Sequence, residues 1–161
     1  MNVQEIRDIE RDRFEKSLED VRDSLSVLLR THLFIEQGLE RIIRARLPKP
    51  EKLLKNARFT FNQKLLLVES LDIFDDKTVG SIRKLNAVRN DCAHQLEARL
   101  SRKVIEELGN TQRPWFTEVK KQNPDDHDAW LGRLLPRLAG MVGGYVLTVE
   151  HEPNNSGQRT R

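Results

Sequence analysis

The sequence predicts an all-α protein, a helical bundle of about five to six helices. Two observations lead there. Over residues 18–47 the positions Leu18, Val21, Leu25, Leu28, His32, Ile35, Leu39 and Ile42 recur alternately three and four apart, the spacing that draws one stripe along a helix. Over the first 100 residues Gly and Pro are sparse while Leu, Arg, Glu and Lys abound, so helix formers outnumber breakers. A chain of 161 residues is about one domain and long enough to bury a real core.

Each element follows from its local pattern. Residues 3–16 carry Val3, Ile6, Ile9 and Phe14 among charges and read as a weakly amphipathic helix. The 18–47 stripe is widened by Leu29, Ile43 and Leu47, with Ser17 and Asp20 as a candidate cap. It predicts a helix on the order of 45 Å long, stopped by Pro48 and Pro50. Such a length suits a bundle spine or a dimer seam. A basic connector with Lys52, Lys55 and Arg58 leads to a helix from Phe61 through Leu65 and Val68 to Leu71. Asp72 to Asp76 read as a turn, and Val79, Ile82, Leu85 and Val88 mark a helix over 77–91. Leu96, Leu100, Val104, Ile105 and Leu108 predict another over 95–109, closed by Gly109. Residues 110–123 read as a loop or linker with an exposed-looking aromatic pair, Trp115 and Phe116, open to plugging a groove or contacting a partner, with core packing the plainer reading. Asn123-Pro124-Asp125-Asp126 has a capping Asn, a first-turn Pro and acids at the positive dipole end. It predicts a helix over about 124–150 that Pro136 kinks, with Gly140 and Gly144 permitting a close crossing. The organisation expected is a bundle core over 1–110, a linker and C-terminal helix packed on it over 111–152, and a disordered polar tail over 153–161.

Composition narrows the function classes. Hydrophobic residues make up 37% and charged residues 33%, with a net charge of +3; the excess is mild and suits an anionic partner without demanding one. The single Cys92 rules out an internal disulfide and a multi-cysteine metal site. No apolar run reaches the ~18 residues of a membrane span, and MNVQEIRDIERDR is no secretion signal, so a cytoplasmic protein without membrane contact is expected. No glycine-rich phosphate loop, HExxH or metal-spaced carboxylate cluster is present, and no cofactor or metal is expected. No helix-turn-helix with a basic recognition helix is evident either.

The chemistry concentrates in Leu85-Asn86-Ala87-Val88-Arg89-Asn90-Asp91-Cys92-Ala93-His94. Arg89 keeps its charge, and its planar fork suits a phosphate or carboxylate; His94 titrates nearest neutrality. Arg89 lies four residues beyond Leu85, extending a buried stripe, where an arginine is costly unless paired or at a wet interface. On a straight helix Arg89 and His94 point about 140° apart. Either the helix breaks near Asp91 or a second copy completes the site. Asn90 shares a face with His94 and is the third candidate. Arg30, Lys64 and Arg83 are candidate substrate-binding cations, set against their plainer reading as solvated surface charges. His32, on the apolar stripe, reads as a hydrogen-bonded core histidine. A reactive Cys92 would need an electropositive setting, which Asp91 opposes.

Arg-Asn-x-x-Ala-His at a helix end resembles the R-x4–6-H motif of HEPN domains. The likeness extends over roughly residues 25–110, through LLRTHLFIEQGLERII, FTFNQKLLLVESLDIFDD and IRKLNAVRNDCAH. That order is similar to the HEPN branch containing the mannitol-operon repressor family and related uncharacterised proteins. The resemblance implies a small helical fold and a metal-independent endoribonuclease of toxin–antitoxin or antiphage type. Its motif would lie at a homodimer interface, with RNA as substrate and an antitoxin or regulatory protein as partner. In such an enzyme His94 moves protons, Arg89 holds the scissile phosphate and Asn90 orients His94 or contacts RNA. The alternative implied by the same branch is a non-catalytic regulator or protein-interaction module.

Overall fold

The computed structural model describes residues 3–20, 23–55, 58–94 and 99–152. Expectations placed on Val21, on Leu96, on the side chains of Val3 and Ile6 and on the 153–161 tail lie outside the described residues. Among the described residues there are eight helices and no strand: α1 (Val3–Lys16), α2 (Ser24–Arg46), α3 (Glu51–Leu54), α4 (Phe61–Ser70), α5 (Asp76–Ala93), α6 (Arg102–Asn110), α7 (Trp115–Gln122) and α8 (His127–His151). The fold is the all-α bundle that the periodicity predicts. None of these helices is long and apolar enough to cross a membrane.

The α2 stripe forms the spine because it is apolar on more than one side. Leu28, Ile35, Leu39 and Ile42 are fully buried and join Leu65 and Val68 of α4, Ile82 and Leu85 of α5, and Leu134 and Leu138 of α8 in one core. α8 runs alongside α2 in the same direction: Ser24 bonds Asp128, and Arg41 bonds Glu150. The two come close where Gly38 has no side chain; a Cβ there would stand 2.8 Å from a Val142 methyl carbon. α1 returns antiparallel along α8, with Phe14 packed beside Ala139 and Glu10 against Gly143. It adds a satellite apolar cluster in which Phe14 meets Phe34 edge to face at 5.2 Å.

Helix starts are set by side-chain caps. Asp23 accepts from Ser26 N–H at 2.8 Å, so α2 begins at Ser24 and is shorter than the 18–47 stripe implied; Ser17 does not cap it, its hydroxyl donating instead to the Phe14 carbonyl. Thr60 and Gln63 form a reciprocal capping box on α4. Asp75 accepts from Thr78 N–H at 2.7 Å to start α5.

Three expectations for the C-terminal third are corrected. Residues 110–123 are not a loop: they contain α7, which buries Phe116 and Val119. Gly109 does not close α6 but lies inside it, because Phe116 ring carbons sit 2.3 Å from where its Cβ would be. Asn123 ends α7 rather than starting α8, and its carbonyl accepts the Trp130 indole N–H at 2.7 Å. Asp125 has a left-handed φ of 61°, which breaks any helix begun at 124. Asp126 is therefore the working cap of α8, accepting from Ala129 N–H at 2.9 Å. Pro136 lies inside α8 without dividing it.

Candidate active site at the end of α5

α5 does not break at Asp91. It continues to Ala93, and His94 is its C-terminal cap residue with φ −96° and ψ 2°. Arg89 and His94 therefore keep the divergence of about 140° that a continuous helix imposes. Of the two arrangements open to the motif, the structure takes the one in which a single chain cannot aim both side chains at one atom.

The two groups differ in setting. His94 is exposed, and among the described residues no hydrogen bond or ion pair engages its ring. Arg89 is half-buried, and one arm of its guanidinium donates to Asn90 Oδ1 at 3.1 Å. Among the described residues its other arm has no hydrogen-bond partner. Asn90 is thus tied to Arg89 rather than to His94. Cys92 is half-buried, and burial, reinforced by the Asp91 carboxylate, pushes its thiol above its ordinary value, away from thiolate chemistry.

Beside Arg89 lies a polar chain of which the sequence shows only His32 as a hydrogen-bonded core histidine. His32 is buried among apolar neighbours, stacked on Phe61 at 4.2 Å. Its Nε2 pairs with Asn86 Oδ1 at 2.8 Å, and Asn86 Nδ2 donates to Asn62 Oδ1 at 2.8 Å. An amide oxygen only accepts, so the ring carries its proton on Nε2. Burial, and after it the charge of Arg89, depresses the His32 pKa below its ordinary value, against the raising effects of Asn86 and Glu36. His32 is thus a neutral core histidine beside Arg89. Asn86 went unnoticed as a site residue although the signal was present: it follows Ile82 by four positions, on a stripe where an amide is out of place.

The three candidate substrate cations separate. Lys64 is buried, not solvated: its ammonium donates to Glu36 and to Glu40, each at 2.7 Å. Burial alone would lower its pKa, and the bonds to the two carboxylates outweigh it, so the net shift is upward. Its donors point into an α2–α4 ion-pair knot. Arg83 is exposed and paired with Glu69. Arg30 is exposed on α2 and makes no ion pair among the described residues.

Near this site α2 presents Leu29 and Leu33, 41% and 48% exposed, and α4 presents Leu66 at 61%. Leu29 and Leu33 lie one turn before and one residue after His32, on the flank of α2 that carries Glu36. Among the described residues no group of three His, Cys, Asp or Glu is placed to hold a metal ion. No protein-family profile, curated protein or solved structure matches the chain.

Proposed function

We propose that the chain is a metal-independent endoribonuclease of HEPN type that works as a homodimer, a toxin or antiphage effector in its biological role. The observation that carries this reading is the exposed His94 imidazole at the C-terminal end of α5, five residues after a half-buried arginine with one arm unpaired among the described residues. In the reaction an RNA 2′-hydroxyl attacks the adjacent phosphorus while His94 of one protomer takes its proton. The P–O5′ bond breaks, and the leaving oxygen gains a proton from the same or the symmetry-related histidine. Arg89 stabilises the charge that develops on the phosphorane oxygens. The products are a 2′,3′-cyclic phosphate and a 5′-hydroxyl. The divergence of Arg89 and His94 is relieved if a second copy lays its α5 end against the first, and exposed Leu29 and Leu33 supply apolar surface for that contact.

The test is cleavage of a labelled single-stranded RNA in EDTA. Wild type should leave a cyclic phosphate, and Arg89→Ala and His94→Ala should each lose about 10²–10⁴-fold in rate. Cleavage that survives both substitutions, or none over a panel of RNAs from a folded dimer, overturns the reading. The second reading, a regulator that binds a protein partner, is favoured by one observation. A cavity of about 1160 Å³ lies between α1 and α8 and includes neither Arg89 nor His94 in its walls.

A further inference from the structure

The α1–α8 groove has no part in the chemistry above. It follows α8 from Pro136 to Glu152, about 24 Å at the rise of a helix. Phe14 of α1, Leu18 in the turn that follows it, and Met141 and Leu147 of α8 give it an apolar lining. Along it Gly140 and Gly144 face open space, with nothing within 4 Å of where a Cβ would stand.

The α1 wall of the groove and the surface on the far side of α8, which Arg137 joins to the groove, carry opposite charge. On α1 Arg11 pairs with Asp8, Asp12 and Glu15, with N–O distances of 3.2, 3.7 and 3.7 Å, and the last two acids are 72% and 66% exposed. Among the described side chains that line the groove from α1, acids outnumber bases: Asp8, Glu10 and Glu15 against Arg11. Across α8 the exposed cations Arg137, Arg133, Arg113 and Lys77 all bond neutral groups. Arg137 donates to Gln112, Arg133 to Gln122, Arg113 to Asn110, and Lys77 to the Arg113 carbonyl. Asp75, just before Lys77, has both carboxylate oxygens engaged, by Thr78 N–H and the Tyr145 hydroxyl; Asp76 remains as one exposed acid on that flank.

We propose that this groove seats a second copy of the chain, related by a two-fold axis running along α8. Rotation about such an axis exchanges left and right while keeping the two α8 helices parallel. Each α8 then lies in the groove of the other, and the acidic face of each α1 falls over the partner's basic flank. Opposite walls meet without any like-charged pair of walls, which is self-complementarity in the sense an isologous interface requires. An axis across α8 would instead set acid on acid. The bare backbone at Gly140 and Gly144 allows the two helices to approach closely at the centre.

The inference does not rest on the ribonuclease reading, and the experiment separates the two. Molar mass is measured by light scattering for wild type, for Gly140→Leu/Gly144→Leu, for Glu15→Lys, for Lys77→Glu, for the Glu15→Lys/Lys77→Glu double reversal and for Leu29→Glu/Leu33→Glu. The leucines enter open space, so helicity and melting temperature should hold while the mass halves. Each single reversal should weaken association by about tenfold, and the double reversal should restore it. Loss of association only in Leu29→Glu/Leu33→Glu leaves the active-site dimer standing and overturns the groove. Loss only in the groove variants supports the groove and removes the dimer assumed for the nuclease. A wild type that stays monomeric at ~100 μM overturns the groove as a self-association surface.

Discussion

At the scale of the residue, the sequence exposes the motif but not its surroundings. Arg89 and His94 are recognisable from type and spacing alone, and the angle between them follows from helix geometry once α5 is known to be continuous. The partners across the bundle are invisible in one dimension. Asn86 meets His32, 54 residues earlier, and Lys64 meets Glu36 and Glu40, 28 and 24 residues earlier. A lysine four residues before a core valine reads as solvated until α2 is seen to bring two carboxylates over it. His32 gives the prediction that belongs at this scale. The folded protein holds its pKa down, so near pH 6.5 and below the unfolded chain binds more protons. The stability that depends on neutral His32 is complete above about pH 6.5 and declines as pH falls below it. His32→Gln, which keeps an amide donor for Asn86 but cannot titrate, should lose about 1 kcal/mol at pH 7.5. It should also show a smaller fall in urea midpoint than wild type between pH 7.5 and pH 5. Equal falls in the two proteins would remove His32 from the acid response.

Elements were legible where amphipathic periodicity persisted and obscure where packing overrode it. α2, α4, α5 and α8 follow their apolar stripes, with ends moved only as far as Asp23, Ser70, Ala93 and Asp126 dictate. α7 is hidden because a glycine followed by Asn, Thr, Gln and Pro looks like a chain break, and α6 starts at its Ser101 cap, later than the 95–109 stripe implies. The same glycine is what lets Phe116 stack over α6 and hold α7 on the core. Its meaning is steric, not conformational, and a stability pair distinguishes the two. Gly109→Ala drives a methyl into the Phe116 ring and should cost about 1–3 kcal/mol. Gly80→Ala, on the exposed side of α5 with nothing within 4 Å, should gain about 0.5–1 kcal/mol from helix propensity alone. Chemical denaturation of both variants checks the contrast. A harmless Gly109→Ala would mean that Phe116 does not pack against α6 as described.

For the whole molecule, the decisive feature is that α1 is attached by a separate device. The main core unites α2 and α4 through α8, whereas Phe14, Phe34 and Ala139 form their own small cluster. One charged clasp reinforces it: Arg41 on α2 bonds Glu10 of α1 at 2.7 Å and Glu150 of α8 at 2.7 and 2.8 Å. Hydrogen bonding to Glu150 first, and to Glu10 after it, holds the Arg41 guanidinium firmly protonated against the effect of burial. Removing α1 therefore leaves Arg41 with a partner and the main core intact, so α1 can open as a unit below the global unfolding free energy. Phe14 is 3% exposed, and truncating such a phenylalanine costs about 3–5 kcal/mol, which is large against the docking of a 14-residue helix with one small cluster. Phe14→Ala should abolish amide-exchange protection over residues 3–16 while leaving that of α2, α5 and α8 near wild type. Because α1 forms the acidic wall of the groove, the same variant should lose the association mediated there and keep any RNA cleavage that Arg89 and His94 support. Uniform loss of protection through α2 and α8 would instead make α1 part of a single cooperative unit.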